Sequence, residues 1–150
     1  MRPRSPSGFT ITEVMVGLAM TGFLSIIAMP KIQLTIDRAW VKSARTETFN
    51  RLAAARVAAQ QGGRVVVFRS VGTRIWSEAR PRLIAVAGST SDTLGSILDL
   101  STAYQVNVYS TLDSIVFDPR GLGAQTGTVR LGRGGISDSV AVTGFGSVIR

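Results

Sequence analysis

The residues able to do chemistry in this chain are few. Among 150 residues there are nine Asp and Glu, no histidine and no cysteine. The commonest general base, the commonest metal ligand, thiolate catalysis and disulfides are therefore all missing. Asp113 and Asp118 flank the segment SIVF, and a separation of five puts them on opposite faces of a regular strand. Asp92 and Asp99 lack the dense oxygen-ligand pattern of a calcium loop. GRGG at 132–135 is followed by no Lys-Ser/Thr and is not a phosphate loop. The serines have no base partner of the usual kind. Trp40 and Trp76 read as core or helix–sheet packing residues rather than ligand platforms. These features predict no enzyme, no cofactor and no metal site.

One carboxylate stands apart. Glu13 is the single charge in residues 9–30, FTITEVMVGLAMTGFLSIIAMP. A helix over Phe9–Met29 is long enough for a hydrocarbon core of about 30 Å. A carboxylate inside a membrane span is costly and usually functional, and it needs protonation or a positive partner. A secretory signal would also begin basic and turn apolar, but its apolar core avoids charge, and SIIAMPK lacks small residues at both cleavage-defining positions. A plain single-pass anchor accounts for the length and for the flanking Arg2, Arg4 and Lys31, but not for the glutamate. If the chain were cut after Gly8, the new α-amino group on Phe9 would lie four residues before Glu13. Amine and carboxylate would then compensate each other, within one chain or between staggered neighbours.

The elements that must position these residues follow from the pattern. Residues 1–8, MRPRSPSG, are basic and rich in turn formers. Pro30 removes a helix N–H, and a kink is expected there rather than an end. The stretch 31–63 is helix-forming, with Trp40, Ala44, Leu52, Ala55 and Ala59 on one face and Arg38, Lys42 and Arg45 on another. Gly62-Gly63 stops it. From residue 64 on, short Val- and Ile-rich segments read as strands: 64–70, 73–78, 82–88, 104–110, 114–118, 128–132, 139–144 and 147–150. GLGAQTG and GRGG read as turns, and the polar stretch 88–101 as a loop. The predicted class is α+β: a long, kinked N-terminal helix, its first half membrane-spanning, packed on a small antiparallel β domain.

The net charge is +8, with 17 basic residues against nine acidic ones. Such a balance admits anionic lipid or nucleic acid as partner, although a solvated basic surface is its ordinary meaning. Arg130, Arg133 and Arg150 form a C-terminal basic set that phosphate binding would require to be clustered.

Gly8-Phe9-Thr10-Ile11-Thr12-Glu13 and the apolar run behind it resemble the class III signal of type IV pilins and type II secretion pseudopilins. The resemblance implies a leader 1–8, a prepilin-peptidase cut between Gly8 and Phe9, N-methylation of Phe9, and an assembly role for Glu13 as fifth residue of the mature chain. Pro30 falls where many pilin helices carry a kinking proline. Thr12 departs from the apolar residue usual before the glutamate. ARVAAQQGGRVVVF, SIVFDPRGLGAQTGTVRLGRGG and SVAVTGFGSVIR resemble the helix-to-strand junction and closing hairpins of the GspH/FimT family. That family implies a pilin-like fold with segments 1–8, 9–30, 31–63 and 64–150. It also implies insertion in the inner membrane, a periplasmic C-terminal domain, and other pilin-like subunits as partners.

Two roles follow from it. One is a minor pseudopilin of a type II secretion pseudopilus, supporting protein export and contacting exported proteins. The other is a FimT-like minor pilin with a part in DNA uptake. DNA-binding members carry a glycine-arginine motif near the C-terminus. Here the tail is Gly146-Ser147-Val148-Ile149-Arg150, and only Arg150 remains of that motif. The sequence leans toward secretion.

Overall fold

The computed structural model describes residues 8–80 and 91–149. The expected strand at 82–88 and the leader residues 1–7 lie outside them. The chain divides into two units, Met1–Ile36 and Asp37–Arg150. One helix, α1 (Ile11–Gly62), contributes to both.

In the first unit α1 begins at a side-chain cap. Thr10 Oγ1 accepts from the Glu13 backbone N–H at 3.3 Å, and Glu13 lies in the first turn, where the helix dipole favours negative charge. Hydroxyls within the apolar run bond back into their own helix: Thr21 Oγ1 donates to the Gly17 carbonyl at 2.6 Å and Ser25 Oγ to Thr21 at 2.8 Å. That leaves their polar atoms satisfied without water, as a hydrocarbon setting requires. Helical structure continues past Pro30. Every described residue from 8 to 36 is exposed.

In the second unit α1 becomes amphipathic. Val41, Ala44, Thr48, Leu52, Ala55 and Ala59 recur at three- and four-residue spacing and are all buried. Val41 and Thr48 belong to this stripe, whereas Trp40 is 36% exposed at its edge. The helix ends in a Schellman pattern, with Gly63 at φ 57° and Arg64 N–H donating to the Ala59 carbonyl at 3.3 Å.

Among the described residues the β domain has eight strands, β1 (Val66–Val71), β2 (Arg74–Ala79), β3 (Asp92–Asp99), β4 (Asn107–Ser110), β5 (Ser114–Phe117), β6 (Gly127–Arg133), β7 (Ile136–Val142) and β8 (Val148–Ile149), and a short helix α2 (Leu100–Tyr104). They form two antiparallel sheets, β3-β2-β1-β5 and β4-β6-β7-β8. Alternate residues point inward: Val66, Phe68, Ile75, Ile115, Phe117, Val129, Leu131, Val140 and Val142 join the buried helix residues in one core. The α+β class and the long helix on a small antiparallel β domain are as expected.

Three expectations are corrected. Within the stretch expected as a loop, 88–101, the described residues 92–99 are instead strand β3, at the edge of its sheet among the described residues, and Leu100 opens α2. A bulge opposite Trp76 breaks the register between Ile75 and Ser77, so β3 loses the period of two that would mark it as a strand. The strand expected from Tyr104 starts at Asn107, because Tyr104 ends α2 and Gln105 caps it at φ 52°. Trp76 lies on the outer face of its sheet rather than in the core, its indole N–H donating to Glu78 Oε1 at 2.6 Å. The GRGG turn is as expected: Gly134 and Gly135, both at positive φ, join Arg133 to Ile136 in a two-residue hairpin.

Candidate assembly segment and basic residues

Gly8 and Phe9 precede α1, and Phe9 is 84% exposed. The apolar side chains that follow, from Ile11 through Val14, Leu18, Phe23 and Leu24 to Met29, are exposed as well. An 18-residue window of α1 has a mean hydropathy of 1.8, and the helix is long and apolar enough to cross a membrane. Glu13 sits at the head of this surface, with no ion-pair partner among the described residues. Thr10-Ile11-Thr12-Glu13 has the T-x-x-E spacing of a capping box. That signal was present in the sequence and gives Glu13 a local role besides the one the resemblance implies.

The structure does not bring Arg130 and Arg133 together. Arg130 and Arg133 are three apart on β6, so they point to opposite faces. Arg130 is exposed and lies opposite Tyr109 and Ser139. Arg133 is turned inward: its Nε donates to Asp37 Oδ1 at 2.7 Å, and its guanidinium lies 5.8 Å from the centre of the Trp40 ring. Arg150 lies outside the described residues.

Arg133 belongs to a clamp that sequence reasoning missed. Helix α1 offers Asp37 and Arg45; the β6–β7 hairpin offers Arg133 and Asp138. The pairs are Arg133–Asp37 at 2.7 Å and Arg45–Asp138 at 2.6 Å, the acid on the helix in one and on the hairpin in the other. Trp40 packs edge-on against Tyr104, with ring centroids 6.3 Å apart. Side-chain exposures of 23% and 19% for Arg133 and Asp37 leave the pair partly shielded, so removing one partner strands a charge.

Glu78, Asp99 and Asp118 are engaged locally, whereas Asp113 is exposed. The Trp76 indole N–H holds the Glu78 carboxyl below its usual range, helped by Arg69 and opposed by desolvation. Asp99 is lowered too, first by the Thr73 side chain and then by the backbone N–H groups it caps at the start of α2. Asp113 and Asp118 do not form a pair: Asp118 Oδ1 accepts from the Arg120 and Leu122 N–H groups within its own turn. Among the described residues no three metal-ligating side chains converge.

Two solved structures resemble this chain, both of the type IV minor pilin FimU from Pseudomonas aeruginosa strain PAO1, in different crystal forms. One superposes with a TM-score of 0.58 at 16% identity, covering 75% of this chain and 88% of that one. The other gives 0.54 at 15% identity, covering 72% and 90%. The fold is pilin-like. No protein-family model and no curated protein matches the sequence. In pilin-like terms, α1 is the long N-terminal helix and the two sheets are the domain behind it.

Proposed function

We propose that this chain is a minor pilin-like subunit of a filament machine. On this reading prepilin peptidase cuts between Gly8 and Phe9 and methylates Phe9. Segment 9–30 sits in the inner membrane, and 64–150 forms the periplasmic domain behind the helical segment 31–63. Assembly with other pilin-like subunits proceeds through the apolar helix, with Glu13 meeting the Phe9 amine of its own or a neighbouring chain. One observation carries the reading: on a pilin-like fold, the first half of α1 is apolar, wholly exposed, and headed by a single carboxylate. Such a surface needs partners outside the chain, and lipid and other apolar helices are the partners it suits. Pro30 is read as the kink site of this helix.

Two machines fit. Likeness to the minor pilin FimU supports a type IV pilus. The closing hairpins, which resemble the GspH/FimT family, together with an Arg133 already engaged by Asp37, support a secretion pseudopilus that contacts exported proteins rather than DNA. Deleting the gene in its host separates them: lost export with normal pili supports the pseudopilus, and lost pili with normal export supports the pilus. Glu13→Ala is expected to leave cleavage intact and to impair incorporation into the filament. Normal incorporation of that variant contradicts the role given to Glu13.

A further inference from the structure

Helix α1 distributes its free charge unevenly. Six cations follow its apolar run: Lys31, Arg38, Lys42, Arg45, Arg51 and Arg56. Arg45 pairs with Asp138, Arg51 pairs with Glu47, and Arg56 is half-buried. Lys31, Arg38 and Lys42 are exposed and have no acidic partner among the described residues. All three therefore fall next to the apolar run, and residues 43–62 carry no exposed cation. The two acids of this part of the helix are taken, Asp37 by Arg133 and Glu47 by Arg51. Arg38 and Lys42 are one turn apart and share a face. Side chains on a helix lean toward its N-terminus, so both reach back toward the run. About 12 Å of helix separates Arg38 from Pro30, a distance that a headgroup layer and one Debye length together span. Trp40, 36% exposed, adds an amphipathic ring between them in sequence, of the kind enriched at membrane–water interfaces.

We propose that Arg38 and Lys42, together with Lys31, bind the anionic headgroups of the lipid leaflet from which α1 emerges. Continuity selects the occupant. Helix α1 runs unbroken from these residues into the segment long and apolar enough to cross a bilayer, so headgroup phosphates are the anions the chain itself brings within reach. Nucleic acid or an acidic protein would have to be recruited to the same face. The inference rests on the membrane role given to residues 9–30 under the function proposed above. Its consequence is that the domain is held close to the membrane while the helix stays inserted, and that this hold is given up when the subunit leaves the bilayer for a filament.

The test uses the full-length chain, which has no cysteine, so that Ala39→Cys carries the one fluorophore. Ala39 is exposed and adjoins Arg38. The labelled chain is placed in nanodiscs of phosphatidylcholine, alone or mixed with phosphatidylglycerol, with a nitroxide quencher on some headgroups. Quenching is expected to be about threefold stronger in the anionic discs. That difference should fade as the Debye length falls from about 10 Å at 0.1 M salt to about 3 Å at 1 M. Arg38→Gln combined with Lys42→Gln should abolish it, whereas Arg38→Lys should keep most of it; thermal unfolding shows that the domain is intact in each. Equal quenching in the two discs, or a difference that survives the double glutamine variant, overturns the proposal. A chain that enters neither disc contradicts the membrane reading itself, whereas insertion with quenching that ignores lipid charge contradicts only the headgroup contact, so the two failures are distinguishable. In the host, a photo-reactive phenylalanine analogue at Ala39 is expected to capture lipid; capture confined to protein or nucleic acid also overturns the proposal.

Discussion

Residues 11–36 and 37–62 share one helix, yet they meet opposite fates. The first stretch carries the large apolar side chains and buries none of them; the second is rich in alanine and buries a continuous stripe. Hydrophobicity therefore does not report burial within the chain. It reports where partners are needed, and for the first stretch they lie outside the chain. Small residues serve the second stretch because Ala44, Ala55 and Ala59 let the helix approach the strands bearing Phe68, Ile75 and Leu131.

This contrast can be broken by truncation. Leu52→Ala opens a cavity in the core and should cost about 2–5 kcal/mol, and Phe68→Ala about 3–5 kcal/mol, by denaturant unfolding of the detergent-solubilised chain. Leu24→Ala removes the same atoms from an exposed position and should leave that unfolding transition unmoved. A loss at Leu24 equal to that at Leu52 would erase the distinction between the halves.

The next effect concerns what ties the second stretch to the hairpin. Arg133→Ala should destabilise the domain by about 1–3 kcal/mol, because Asp37 is left half-buried and unpaired. The exchanged pair Asp37→Arg with Arg133→Asp should recover part of the loss. A neutral Arg133→Ala would instead leave the residue free for an external anion.

Acid sharpens the contrast further, since the lowered carboxylates lie in the second unit. The folded pKa of Glu78 is below the ordinary 4.5, so its contribution is complete above about pH 4.5 and is lost as pH falls through the folded value. Glu78→Gln should cost about 1–2 kcal/mol at neutral pH and flatten the acid limb of the stability profile. An unchanged acid limb would remove Glu78 from the account.

The smallest effect is at the helix start. Thr10→Ala should fray the first turn, at a cost of about 1 kcal/mol, seen as faster amide exchange at Glu13 and Val14. Exchange as slow as in the parent chain would mean that the cap does not hold that turn.

How much of this was legible depended on range. The long helix, its stop at Gly62-Gly63 and the GRGG hairpin are written in local signals and were readable. Strand β3 was not, because its bulge breaks the alternation and its edge position leaves it polar. Helix α2 hid behind the strand-like YQVNVYS, although Asp99 was a readable cap. From sequence Arg133 groups with the C-terminal basic set, because its partner Asp37 lies 96 residues away, a contact that no window of sequence displays. The Thr10 cap on the Glu13 N–H is legible in the T-x-x-E spacing alone.

The account rests most on the junction before the apolar run. The intact mass of the protein extracted from the membranes of its host, with prepilin peptidase present, tests it directly. The account predicts a chain beginning at methylated Phe9. A chain still beginning at Met1 would contradict it.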